Sequence, residues 1–177
     1  MRRIYESEAL TRDDEPFTPH EREDDYEPQA FRSIDASAWS DRLIPHGVRC
    51  RSVRVDITTP QETFENGQAV PFQIRIRNSL PIPITVRTVT PVIWTWNVDG
   101  APNANRSSPP SLPEEQGALY LDRGETRTFG KRWNQRFQVA KRRWEPAPPG
   151  TYSLGVEINT ERNYENLRDS TEIRIAP

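Results

Sequence analysis

Cysteine, histidine and lysine are all scarce in this 177-residue chain: one cysteine, two histidines, and two lysines against 22 arginines. The lone Cys50 excludes an intrachain disulfide, a cysteine zinc cluster and a Cys-x-x-Cys motif, and it suits a reducing interior, so a cytoplasmic protein is expected. His20 and His46 both fall outside the strands inferred below, and no His-x-x-x-His, glycine-rich phosphate loop or Gly-x-Ser-x-Gly element occurs. A Cys50–His46 nucleophilic pair would need a structured site, whereas a small thiol at the start of a first strand reads as packing. No catalytic residue, cofactor or metal site is therefore expected, and the chain does not read as an enzyme. Long apolar runs are also missing: nothing approaches the ~18 residues that span a bilayer. Arg2-Arg3 is followed by Glu6, Glu8 and Asp13 and not by the apolar segment of a secretion signal.

Hydrophobic residues make up only 33% of the chain, and there are 17 prolines, so part of it lacks the composition of a packed core. The deficit sits at the N-terminus. Residues 1–46 carry 12 acidic and 6 basic side chains, whereas residues 47–177 carry 14 acidic and 18 basic. The division is thus an acidic, largely irregular N-terminal extension (1–46) and a mildly basic domain (47–177). Within the extension, Trp39 and Leu43 are four apart and would share the face of a helical turn over residues 37–43.

What the domain does have is alternation. Val92, Trp94, Trp96 and Val98 fall on one side of a strand and Thr95 and Asn97 on the other, before an Asp99-Gly100 turn. Two tryptophans on one face carry more apolar surface than a lone hairpin can hide, so a second sheet must cover them. Val53, Val55 and Ile57 alternate in the same way, as do Val70, Phe72, Ile74 and Ile76, then Ile82, Ile84 and Val86, then Tyr152, Leu154, Val156 and Ile158. Residues 118–121, 126–137 and 171–175 complete the series, although Phe129, Trp133 and Phe137, four apart, also suit a helix. We favour a strand there because Gly130 weakens a helix and the flanking segments are all β. Short strands punctuated by turns, with no long helix, specify an all-β fold: an immunoglobulin-like antiparallel β-sandwich of 7–9 strands with an extended N-terminal segment.

The series Val70-x-Phe72-x-Ile74-x-Ile76-x-Asn78, Trp94-Thr95-Trp96-Asn97-Val98-Asp99-Gly100, Leu121-x-x-Gly124-Glu125, Trp133 and Pro149-Gly150-Thr151-Tyr152 resembles the BsuPI-type intracellular proteinase inhibitor domain. The whole chain resembles still more closely an uncharacterised haloarchaeal family of similar build. The inhibitor-like match spans residues 62–160 and is carried by structural motifs, so it implies an immunoglobulin-like fold and transfers no contact residue. Relative to that domain, the chain has a longer connection at residues 101–116 and adds the acidic extension.

Function is read from the surface. Trp94, Trp96, Trp133 and Tyr152 are expected in the core, and Trp144, between Arg143 and Glu145, is expected outside it. Arg127, Lys131, Arg132, Arg136, Lys141, Arg142 and Arg143 form a stretch with no acid among them, interleaved with aromatics. With Trp144 they are the candidate interaction surface, although strand alternation would divide them between two faces. The expected role is that of a non-catalytic protein-interaction module. The alternatives are an intracellular proteinase inhibitor that uses the loop at residues 102–113, and a polyanion or nucleic-acid binder that uses residues 127–143. The acidic run Glu21, Glu23, Asp24, Asp25 and Glu27 is expected to lie against the basic stretch and to be displaced by a partner.

Overall fold

The computed structural model describes residues 44–107 and 111–177. The acidic extension up to residue 43 and the helical turn expected at 37–43 lie outside the described residues.

In chain order the elements are a short helix α1 (His46–Ser52), then β1 (Val53–Thr58), β2 (Thr63–Phe64), β3 (Val70–Asn78), β4 (Ile84–Thr88), β5 (Trp94–Val98), β6 (Ala101–Pro102), β7 (Gly117–Leu121), β8 (Thr126–Trp133), β9 (Arg136–Ala140), β10 (Arg143–Pro146), β11 (Gly150–Ile158) and β12 (Arg168–Ile175), the last preceded by a single 3-10 turn (Glu165–Leu167). Alternation becomes burial with little loss. On β3, Val70, Phe72, Ile74, Ile76 and Asn78 are buried and the four residues between them are exposed.

Two sheets make the sandwich, one ordered β1-β3-β8 and the other β2-β12-β11-β5-β6. Their inner faces meet through aromatic rings: Phe72 of β3 lies 5.2 Å from Trp96 of β5, and Phe129 of β8 lies 5.4 Å from Trp94. Tyr152, near the start of β11, donates its hydroxyl to the Pro148 carbonyl at 2.6 Å, the tyrosine corner common in immunoglobulin-like sandwiches. The fold is an immunoglobulin-like antiparallel β-sandwich. Two further pairs flank it, β4 with β7 and β9 with β10. Buried Asn78 ties the first of these to β3, donating to the carbonyls of Ile82 (2.7 Å) and Asp122 (2.9 Å) while accepting from the Leu80 N–H.

Three local expectations are corrected. Cys50 stands in α1 and not at the start of a strand; the helix is short and contains Gly47, so propensity hides it, and it is held by burial of Arg49 and Cys50. The single strand expected over 126–137 is two, β8 and β9, broken where Gln135 takes a left-handed φ of 53°. The break is built by tertiary bonds: the Gln135 amide donates to the Glu65 carbonyl (2.9 Å) and accepts from the Gly67 N–H (2.7 Å). Finally, the connection at 101–116, expected as a loop, carries paired strand: Ala101–Pro102 form β6, Asn103 and Ala104 turn with positive φ, and the chain then pairs with β9 through Gln138 N–H to the Ala104 carbonyl (2.9 Å) and Arg106 N–H to the Gln138 carbonyl (2.8 Å).

Candidate functional site: a basic hairpin

After β8 the chain turns at Gln135 and runs out as the β9–β10 hairpin. Its register sets Pro146 opposite Arg136, Glu145 opposite Phe137 and Trp144 opposite Gln138. Directly opposed residues of a two-stranded ribbon share a face, so Phe137 and Glu145 lie on one side and Arg136, Gln138 and Trp144 on the other. The Phe137 side turns inward. Its ring is buried 5.4 Å from Trp133 and 6.0 Å from Tyr152, with the Arg106 guanidinium 3.5 Å above it. The opposite side faces solvent, and there Trp144 is 46% exposed.

The seven cations therefore have different fates. Arg143 pairs with Glu145 at 2.7 Å, and Arg127 pairs with Glu125 at 2.7 Å. Burial disfavours the Glu125 carboxylate, but the Arg127 hydrogen bond, the Asp122 N–H and the Arg127 charge together hold its pKa below the usual value. On β8, Lys131 lies opposite Phe72 and Arg132 opposite Pro71, so alternation sends these two to opposite faces. Arg136, Lys141 and Arg142 remain on the hairpin beside Trp144, exposed and with no carboxylate at ion-pair distance among the described residues. Trp94 (4% exposed), Trp96 (9%), Trp133 (2%) and Tyr152 (6%) lie in the core. Arg54, Arg75 and Arg77, which sequence reasoning did not single out, stand exposed on the outer face of the β1-β3-β8 sheet. Alternation had already turned Arg75 and Arg77 outward; the strand pairing that gathers the three was the missing information.

Cys50 and His46 do come together, Sγ to Nε2 at 3.3 Å across one helical turn. The thiol is fully buried, and desolvation pushes its pKa above the ordinary 9.0 although the Arg49 charge and the Tyr164 hydroxyl pull the other way. This is the opposite of nucleophile activation. Because the folded-state pKa is raised, the Cys50 contribution to stability is complete below pH 9.0 and is lost as the pH climbs through the folded value. We expect urea denaturation to show stability falling from about pH 9 upward, and falling less steeply in Cys50→Ala. Parallel slopes in the two proteins would refute the assignment. Among the described residues no cluster of three or more His, Cys, Asp or Glu is placed to hold a metal ion, and no helix is long and apolar enough to cross a membrane.

The architecture and the projecting basic ribbon define a small immunoglobulin-like β-sandwich module. The chain belongs to DUF7974, described as a family of unknown function, whose model matches residues 41–176. No match was found among curated proteins. Similar solved structures include the CARDB domain of a Pyrococcus furiosus protein in complex with di-metal ions, 12% identical over 70% of this chain and 91% of that one, with a TM-score of 0.44. A Listeria innocua β-glucosidase in complex with laminaribiose is 13% identical over 71% of this chain and 16% of its own, with a TM-score of 0.41. A Pseudomonas fluorescens alkylpurine DNA glycosylase bound to DNA with an abasic site analogue is 14% identical over 71% of this chain and 31% of its own, with a TM-score of 0.42.

Proposed function

We propose that the chain is a non-catalytic protein-interaction module, set in a reducing cytoplasm, whose contact surface is the solvent side of the β9–β10 hairpin and whose partner presents an acidic segment. The observation that carries this reading is Trp144, 46% exposed on the same ribbon face as Arg136. An exposed tryptophan sharing its face with an arginine is the composition of an interface hot spot, the ring supplying area and the cation selecting for acid. The inhibitor alternative has a smaller loop to work with, since Pro102 and Asn103 of its expected contact loop are tied to β5 and Ala104 and Arg106 to β9.

The test is binding of a fluorescein-labelled deca-glutamate peptide to the full chain, followed by anisotropy. Trp144→Ala is expected to weaken binding about tenfold or more with Tm little changed, because the side chain is a hot-spot anchor that stands outside the buried core. Lys141→Glu with Arg142→Glu should abolish it. Unchanged affinity in both variants would overturn the proposal. So would tighter binding of a deca-thymidine oligonucleotide with a steep salt dependence, which would assign the hairpin to nucleic acid. Inhibition of a serine protease by the Trp144→Ala variant as potent as that by the parent would move the contact to another surface.

A further inference from the structure

The two outer faces of the sandwich handle charge differently. On the β2-β12-β11-β5-β6 sheet, Glu157 sits opposite Arg168, while Glu172 and Arg174 alternate along β12. Acids and bases there are equal in number, and the one directly opposed charged pair is of opposite sign, as cross-strand pairing favours. On the β1-β3-β8 sheet, Asp56 faces Arg75 in the same manner, but Arg54 lies directly opposite Arg77. Arg132, opposite Pro71 on the same face, adds a fourth arginine. All of these residues are exposed, and among the described residues none of the four arginines makes an ion pair. Like charges directly opposed on a sheet are destabilising, so this face holds a repulsion that its neighbour avoids, and an anion laid across β1 and β3 would relieve it.

We propose that the outer face of the β1-β3-β8 sheet is the seat of the chain's own acidic run, residues 21–27. Charge complementarity is direct: Glu21, Glu23, Asp24, Asp25 and Glu27 meet Arg54, Arg75, Arg77 and Arg132. Chain length fits as well. Sixteen residues lie between Glu27 and Ile44, and a random chain of that length would reach roughly 20–25 Å. The seven-residue α1 that follows leads straight into β1, where Arg54 is the second residue. A helix of that length covers about 10 Å, so the tether is about twice the span and reaches the face, and the local concentration of the acidic run is on the order of millimolar. The face bears no aromatic side chain on which nucleic-acid bases would stack. This seat lies across the sheet from the linear basic stretch, sharing only Arg132 with it, and leaves the hairpin open.

The test uses the full chain with a nitroxide on Ala30→Cys; Cys50, fully buried, stays unlabelled. At low salt the label should selectively broaden the amide signals of Arg54, Arg75 and Arg77. In 1 M KCl, where the screening length is about 3 Å, the broadening should fade. Replacing the five acids by Gln and Asn should remove it. Broadening centred on residues 140–144 would return the acidic run to the hairpin and overturn the proposal, and so would uniform broadening or none. A mixed sample of labelled unenriched and unlabelled enriched protein must show no broadening; if it does, the contact is between copies and the intrachain seat is wrong. As a second readout, Arg77→Gln should raise Tm more in the acid-neutralised chain than in the parent, where the same change also removes a contact with the acidic run. Equal shifts would show that the two regions do not meet.

Discussion

Trp133→Ala is expected to lower the unfolding free energy by about 3–5 kcal/mol, a large part of the ~5–15 kcal/mol that stabilises a domain. The indole is only 2% exposed and packs edge-on to Tyr152 at 5.3 Å and against Phe137 at 5.4 Å, so it joins the end of β8 to the start of β11 and to the inner side of the hairpin. Its Nε1 also donates to the Arg136 carbonyl at 2.9 Å. Truncation therefore opens an aromatic-sized cavity and leaves that carbonyl without its partner at the point where β9 begins. Urea denaturation measures the loss. Hydrogen exchange should show the amides of residues 136–146 opening before those of β3, because the hairpin's connection to the core runs through this cluster. A cost below about 1 kcal/mol would mean that the hairpin is positioned by something other than the indole.

Gly117→Ala should destabilise by about 2–3 kcal/mol, and Gly117→Val by more, through overpacking. A Cβ on Gly117 would stand 2.5 Å from the Thr90 carbonyl oxygen, 2.6 Å from Thr88 Oγ1 and 2.9 Å from Pro91 Cα. Two of those atoms are backbone, in a segment that cannot step aside. The Thr88 hydroxyl donates to the Thr90 carbonyl at 2.7 Å, Val89 N–H to the Asn159 carbonyl at 2.9 Å, and the Asn159 amide to the Val92 carbonyl at 2.8 Å. Relief requires β7 to part from β4 at the Thr88–Gly117 pair. Gly130→Ala is the control: a Cβ there meets nothing within 4 Å and the residue sits in an exposed strand position, so its effect should stay within about 0.5 kcal/mol. Equal losses from the two substitutions, compared by thermal denaturation, would refute the steric account.

Strand faces were legible in the residues alone. Alternation of period two is a local property, so Val92 to Val98 declared its buried side before any partner was known, as did Tyr152 to Ile158. The candidate surface was legible only in part. The stretch from Arg127 to Arg143 was visible as a run of charge, but Glu125 and Glu145, just outside it, remove one arginine at each end, and β8 sends Lys131 and Arg132 to opposite faces. The break at Gln135 was invisible because its causes, Glu65 and Gly67, lie 70 and 68 residues away along the chain.

By itself, then, the sequence determined that the chain is built of half-buried strands, that its indoles need a covering sheet, and that its acids and bases are segregated along its length. Only the tertiary structure decided which charges meet across strands: Arg54 against Arg77 and Asp56 against Arg75. The physical reason is that side-chain direction repeats every two residues and is encoded locally, whereas register is a long-range outcome of packing two sheets around Trp94 and Trp96.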